Sequence, residues 1–272
     1  MLLNVRHETV YNYSEPIRYI VQSHRLHPAD NESQKILNWS VTVEGANFGS
    51  FFVDGGGDTI RTMTMPGPLD HLTVRVEGQV ETSDTAGILR GHMETLPPLS
   101  YIRKTQSTAV TAAIRKLAKT ALKDMDDATE LDRAHALAAI VAKKVKYSPG
   151  TTQAHTTAND ALKQGEGVCQ DHAHILIALA RAVGMPARYI TGYLNASADD
   201  GQSEASHAWA EIYTNDLGWV GFDASNGNCP NDHYIRIGSG LDALDAAPIR
   251  GVSVGAGAEV MDVSVEVLAA QQ

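Results

Sequence analysis

Along residues 1–82, apolar and polar positions alternate with a period of two. Val5, His7, Thr9, Tyr11 and Tyr13 share one parity, and mostly polar residues take the other. The segments 36–43, 51–53 and 72–80 behave similarly and are rich in Val, Thr and Ile. Successive side chains of a strand point to opposite faces, so this pattern predicts half-buried strands. Turn signals at 28–31, 47–49 and 55–58 separate them. Together they predict a small antiparallel β domain.

Residues 83–104 read as a connector. Thr95-Leu-Pro-Pro-Leu-Ser100 cannot continue a helix, because proline lacks the backbone donor and clashes with the preceding turn. From Ser107 the period changes to helical. Val110, Ile114, Leu117 and Ala121 form one stripe; Ala134, Leu137, Ala138, Val141 and Val145 form a second. Asp126, Asp127 and Glu130 at the start of the second helix, and Lys143, Lys144 and Lys146 at its end, complement the helix dipole. Thr157 and Asp160 have capping-box spacing for a short third helix. Ala173, Leu176, Ile177, Ala180 and Val183 mark a fourth, ended by Gly184-Met-Pro186. Strands follow at 187–194, 206–213 and 219–223, and the tail alternates again over 260–268. The division this predicts is 1–104, an N-terminal antiparallel β domain plus connector, and 105–272, an α+β core with a C-terminal strand.

The fourth helix changes the picture, because Cys169 falls in its first turn behind Gly165-Glu-Gly-Val. Unpaired amides and the positive end of the helix dipole both favour a thiolate there. The bland alternative is an inert buried cysteine, the commoner fate of a lone thiol. A nucleophile needs a base, and Ser206-His-Ala-Trp-Ala-Glu-Ile-Tyr213 supplies His207. If 214–218 is a hairpin loop, Tyr213 faces Trp219 and Trp209 faces Asp223. His207 and Asp223 are then diagonal neighbours on one face, roughly 7–8 Å apart and within side-chain reach. An odd register shift would separate them. Taken singly, His207 could be a structural histidine and Asp223 a turn residue. Together the three make a cysteine–histidine–carboxylate set in which Asp223 orients His207, and His207 takes the thiol proton and later protonates the leaving amine.

These blocks resemble the bacterial transglutaminase-like proteins. Gly165-Glu-Gly-Val-Cys-Gln-Asp-His-Ala-His174 with Arg181-Ala-Val-Gly-Met-Pro-Ala-Arg-Tyr-Ile-Thr-Gly-Tyr193 is similar to that family's nucleophile region. Ser206-His-Ala-Trp-Ala-Glu211 and Gly218-Trp-Val-Gly-Phe-Asp223 are similar to its histidine and aspartate blocks. The spacings suit it: 38 residues from Cys169 to His207 and 16 more to Asp223. His7-x-Thr-x-Tyr-x-Tyr13 resembles the small domain preceding this core in bacterial members. His233-Tyr-Ile-Arg236 and Ala247-Pro-Ile-Arg-Gly251 resemble its closing segments. The resemblance implies a papain-like transglutaminase core, a cysteine-bearing helix packed on an antiparallel sheet that carries the histidine and aspartate. It makes Cys169 the nucleophile, His207 the base and Asp223 the orienting carboxylate. Two departures stand out. His172 replaces an aromatic residue common in relatives, and Asp223-Ala-Ser-Asn226 replaces Asp-Pro-Thr-Asn. Both bear on pocket shape.

An oxyanion hole needs two donors. The Cys169 amide is the first; Gln153 and Tyr147 are candidates for the second. Trp209 and Trp219 are candidates for the cleft wall, with core packing as their plain alternative. A zinc site built on Cys169, His172 and His174, completed by Cys229 or His233, is the rival chemistry. On a helix, however, positions 172 and 174 point about 200° apart. No cofactor or metal is expected, and no calcium-loop pattern occurs.

Composition narrows the partners. The 272-residue chain carries 22 Lys and Arg against 32 Asp and Glu, a formal charge of -10, which repels phosphate backbones and argues against nucleic acid. No window approaches the ~20 apolar residues of a membrane span. The N-terminal stretch alternates as a strand and lacks a signal peptide's basic and apolar blocks. Two cysteines make no disulfide framework, so a reduced, cytoplasmic setting is expected. The functional expectation is an acyl-transfer enzyme acting on peptide or glutamine carboxamides of a peptide or protein substrate. Hydrolysis by a peptidase or amidase is preferred to amine cross-linking, because bacterial relatives of this kind are often named cysteine proteases. The alternative is a catalytically silent binding module of the same fold.

Overall fold

The computed structural model describes residues 1–195 and 205–270. Two long strands, β1 (Leu2–His27) and β4 (Thr59–Thr82), pair antiparallel through the centre of a six-stranded sheet. β2 (Gln34–Val43) and β3 (Asn47–Val53) pair with the two halves of β4. The alternation of the N-terminal segment is realised as burial: Val5, His7, Thr9, Tyr11 and Tyr13 all point inward. Residues 47–49, expected as a turn, lie in β3 instead. The chain reverses just before them at Gly45, whose φ of 75° suits a residue without a side chain.

The helical region follows its capping signals. Thr111, Thr129 and Thr157 each accept a hydrogen bond from a first-turn amide of α1 (Ala112–Ala121), α2 (Glu130–Lys144) and α3 (Ala158–Gln164). β5 (Lys146–Tyr147) and β6 (Glu166–Gly167) form a short parallel pair that leads directly into α4 (Cys169–Ala182). Every α4 residue from Asp171 to Arg181 is buried, so this helix is the centre of the core rather than a half-exposed amphipathic one. It packs on a four-stranded antiparallel sheet ordered β10-β7-β8-β9, made of β7 (Ala187–Leu194), β8 (Ser206–Thr214), β9 (Gly218–Phe222) and β10 (Tyr234–Gly240).

The chain does not end in this core. β11 (Ile249–Val254) and β12 (Glu259–Ala269) cross back and pair with β1. The division at residue 104 therefore needs correction: residues 249–269 belong to the first sheet. Alternation reveals a strand but not its partner, and neighbours in sequence are only the default partners in space.

Two buried features lock the sheets together. Leu3, Val5, Val80 and Val267 of the first sheet share an apolar cluster with Tyr193, Ile235 and Ile237 of the second. His7 crosses the same boundary, its Nδ1 2.8 Å from the Tyr193 hydroxyl. Burial lowers the His7 pKa to about 4, so the ring is neutral near pH 7. Beside this cluster runs a ladder of alternating charges. The fully buried Arg188 donates to Glu211 at 2.6 Å and to Glu94 of the connector. Arg236 donates to Glu211 at 2.9 Å and to Asp58 at 3.2 Å, and Arg25 donates to Asp54 at 2.9 Å. Burial alone would raise the Glu211 pKa, but Arg236 and Arg188 outweigh it and hold the carboxyl at about 2.

Buried charges are tolerated only while fully paired, and removing one partner costs about 3–5 kcal/mol. Arg188→Ala should therefore lower the unfolding free energy in urea by about that amount. Arg6→Ala, which removes an exposed side chain 3.6 Å from Glu77, should change it by no more than about 0.5 kcal/mol.

Candidate active site

Cys169 is placed by the turn that precedes it. Val168 is extended (φ −105°) and has no side-chain acceptor to cap the helix. Asp171 folds back instead, its Oδ2 accepting from Val168 N at 2.9 Å and from Thr152 Oγ1 at 2.6 Å. A Cβ on Gly167 would lie 2.7 Å from the Asp171 side chain, so this return requires glycine. The amides of Asp171 and His172 are used on Val168 O. Those of Cys169 and Gln170 have no acceptor among the described residues, as expected for the first positions of a helix.

His207 opens β8, directly opposite Gly192 of β7. The hairpin register is the one that the loop length predicts: Tyr213 pairs with Trp219 and Ala210 with Phe222. The loop itself is tighter than 214–218, because Thr214 and Gly218 already pair. This register brings His207 Nε2 to 2.6 Å from Asp223 Oδ2. Nε2 is committed to the carboxylate, Nδ1 is the other ring nitrogen, and Cys169 is close enough to His207 to raise its pKa. Trp209 stacks beside the imidazole, the two rings tilted by 27° with centroids 6.3 Å apart. Its own ring lies where a Cβ on Gly192 would be, only 2.6 Å from that position.

The Asp223 carboxylate is held by six donors. Oδ2 accepts from His207, from Tyr234 Oη at 2.8 Å and from Asn226 Nδ2 at 2.8 Å. Oδ1 accepts from Ser225 N at 3.0 Å, Ser225 Oγ at 2.6 Å and Asn226 N at 3.2 Å. Burial would raise the Asp223 pKa; the bond and charge of His207, with Ser225 and Tyr234, bring it down to about 2 instead. For His207, burial would lower the pKa, but the bonds to Asp223 and Cys169 and their charges raise it to about 10. The Ala-Ser-Asn226 variation thus supplies four of the six donors that hold the carboxylate.

Cys169 and His207 line an open cleft of about 700 Å³, together with Tyr189, Thr191 and part of β12. Not every residue singled out from sequence reaches it. Gln153 is exposed and sits in a turn capped by Thr156 Oγ1 at 2.9 Å. Tyr147 lies on β5 with its ring 6.3 Å from that of His172. Neither is among the residues that line the cleft. Trp209 supports His207 from the side, and Trp219 donates to Glu94 and lies 4.0 Å under the Arg188 guanidinium. Both tryptophans pack structurally rather than wall the cleft. His172 and His174 diverge: the first reaches Val168 O and Val145 O, the second accepts from Ala243 N. Sequence reasoning missed Tyr234 and Tyr189. Tyr234 lies 11 residues beyond Asp223 on a different strand, and no local pattern joins them. Tyr189 follows from β7 parity only once its neighbours are known. Its phenol is held protonated, first by burial and then by the charge of Cys169.

A half-buried thiol in the first turn of a core helix, beside a histidine–aspartate pair on an antiparallel sheet, defines a transglutaminase-like fold. The comparisons agree. A model of the transglutaminase-like superfamily matches residues 115–224, and one of the bacterial transglutaminase-like N-terminal region matches residues 3–81. The uncharacterized protein ML0607 of Mycobacterium leprae is 31% identical over 97% of this chain and 98% of its own length. The uncharacterized protein Rv2569c of Mycobacterium tuberculosis is 29% identical over 97% and 91%. Among solved structures, a "putative cysteine protease" from Cytophaga hutchinsonii superposes with a TM-score of 0.75 at 23% identity, covering 100% of this chain and 92% of that one. The chain belongs to the transglutaminase-like superfamily, a group that includes cysteine-based acyltransferases and peptidases.

The paired shifts fix a pH dependence. His207 is raised from 6.5 to about 10, so its stabilisation is complete below pH 6.5 and is lost as pH rises through 10. Asp223 is lowered from 3.8 to about 2, so its stabilisation is present above 3.8 and is lost as pH falls through 2. These are two sides of one interaction. The stability advantage of wild type over Asp223→Asn in urea unfolding should therefore peak between about pH 4 and 6.5 and shrink steadily toward pH 10.

Proposed function

We propose that this protein is a cysteine-nucleophile acyl-transfer enzyme acting on peptide or glutamine carboxamides. The observation that carries the reading is the 2.6 Å His207–Asp223 bond on an imidazole whose other nitrogen is left for Cys169. His207 is the base that takes the Cys169 proton and leaves the thiolate, the nucleophilic form of the side chain. The thiolate adds to the carbonyl carbon, and the C=O electron pair moves to oxygen. The unused Cys169 amide is the donor available to that oxyanion. On collapse the C–N bond breaks and His207 protonates the departing amine or ammonia, leaving a thioester on Cys169. A second nucleophile gives its proton to His207, attacks the thioester carbon and releases the thiolate. Asp223 keeps the imidazole oriented throughout and stays ionised.

Water is the second nucleophile we favour. Neither tryptophan is among the residues that line the cleft, which include five alanines and three valines. Such an opening does not exclude water, as a strict amine transferase must. The similar fold of the Cytophaga hutchinsonii protein supports the same preference by its name alone. The substrate is a peptide or protein.

Mass spectrometry of a peptide library incubated with the protein, with and without a primary amine, tests the reaction. Hydrolysis should give either two fragments whose masses sum to the substrate plus one water or, at a glutamine, loss of ammonia with a product about 1 Da heavier, with amine adducts a minor fraction. Cys169→Ala should reduce turnover by at least about 1,000-fold. Undiminished activity in that variant would reject the proposal, and amine adducts as the main product would make the enzyme a transamidase.

A further inference from the structure

β12 stands in an unusual position. It pairs with β1 on one side, from Leu3–Ala269 through Tyr13–Glu259, without a register shift. Its other edge pairs with no strand among the described residues. An edge of this kind exposes a row of free N–H and C=O groups. Such edges are ordinarily blunted by a bulge, a proline, brevity or charged side chains, and of these β12 has only the carboxylates Glu259, Asp262 and Glu266. β12 has 11 residues, no proline and no bulge.

The same strand borders the Cys169 cleft. Met261, Val263, Ser264 and Val265 line it along with Cys169 and His207. Residues 263, 264 and 265 are consecutive, and side chains of consecutive strand residues point to opposite faces. All three can border one cleft only if the strand presents its backbone edge to it. Met261 and Val263 lie opposite Tyr11 and Thr9, so they share the inward face of β1. Yet they are 54% and 51% exposed where they border the cleft. An unpaired backbone edge and a row of uncovered apolar side chains therefore meet beside the reactive thiol.

We propose that the free edge of β12 is the substrate-binding rail: an extended peptide segment, apolar at alternate positions, adds to it as a further strand and delivers its carboxamide to Cys169. Main-chain hydrogen bonds to β12 hold the segment, and its alternate side chains cover Met261, Val263 and Val265. The occupant is a peptide, not a second copy of the chain, because the edge continues into the cleft that holds Cys169. This rests on the acyl-transfer reading and deepens it: the substrate is an unfolded or terminal segment able to become a strand, and the strand that selects it comes from the first sheet.

The test uses chloromethyl ketone probes on the full chain, in which the Cys169 thiolate displaces chloride to form a C–S bond. One probe is the hexapeptide Thr-Val-Thr-Val-Thr-Val carrying the warhead at its C-terminus; the control is acetyl-valine with the same warhead. The hexapeptide should label Cys169 at least about tenfold more efficiently. N-methylation of alternate peptide nitrogens should remove that gain, and methylation of the intervening ones should keep it, since only alternate amides face β12. Val263→Asp should remove most of the hexapeptide's gain over acetyl-valine, with both probes measured in the same variant. Equal efficiencies, or N-methyl effects without alternation, would overturn the rail. Failure of the acyl-transfer reading looks different: acetyl-valine would then label wild type no faster than His207→Ala, whatever the hexapeptide ratio.

Discussion

The bond between His207 and Asp223 is the interaction around which the site is organised. A buried carboxylate is costly to leave charged, and this one remains so because six donors converge on two oxygens. That makes it a fixed negative point against which the imidazole takes one orientation. Nε2 is spent on the carboxylate, which leaves Nδ1 as the free ring nitrogen for proton transfer. Trp209 and Tyr234 hold the ring plane from two sides. The helix, the hairpin and the loop after Phe222 must all be in register for the thiol to meet the ring.

That register is maintained from outside the core. β1 joins the two ends of the chain, pairing with β4 on one side and with β11 and β12 on the other. The apolar cluster around Tyr193 and the charge ladder through Arg188, Glu211 and Arg236 fasten this sheet to β7, β8 and β10. The strand that carries His207 also carries Glu211, four residues on. The structural ladder and the reactive pair thus share one strand, and a change in the ladder bears on the site through β8. The first sheet is part of the cleft rather than an appendage, because β12 forms one of its borders.

What could be read from the chain was what local periodicity encodes. The hairpin loop is short enough that counting residues fixes the parity of His207 and Asp223. A glycine-rich lead-in followed by an apolar helical stripe put Cys169 at a helix start. Thr157 with Asp160 announced a cap that the structure forms. The unread parts are contacts between residues far apart in sequence. Arg188 meets Glu94 across 94 positions, and His7 meets Tyr193 across 186. Nothing in either neighbourhood signals its partner. The return of β11 and β12 to β1 escaped for the same reason, and so did the place of Tyr234 behind Asp223. Gln153 and Tyr147 have no local pattern that tells an oxyanion donor from a structural residue.

The central claim is that His207, held by Asp223, activates Cys169. The most direct measurement is the rate of carbamidomethylation of Cys169 by iodoacetamide at pH 6, followed by peptide mass mapping in wild type and His207→Ala. Cys229 is an internal reference: burial, and then the charge of Asp84, push its thiol pKa up, and it does not line the Cys169 cleft. The account predicts that Cys169 reacts at least about tenfold faster in wild type than in the variant, while Cys229 reacts equally in both. Equal rates at Cys169 in the two proteins would contradict it.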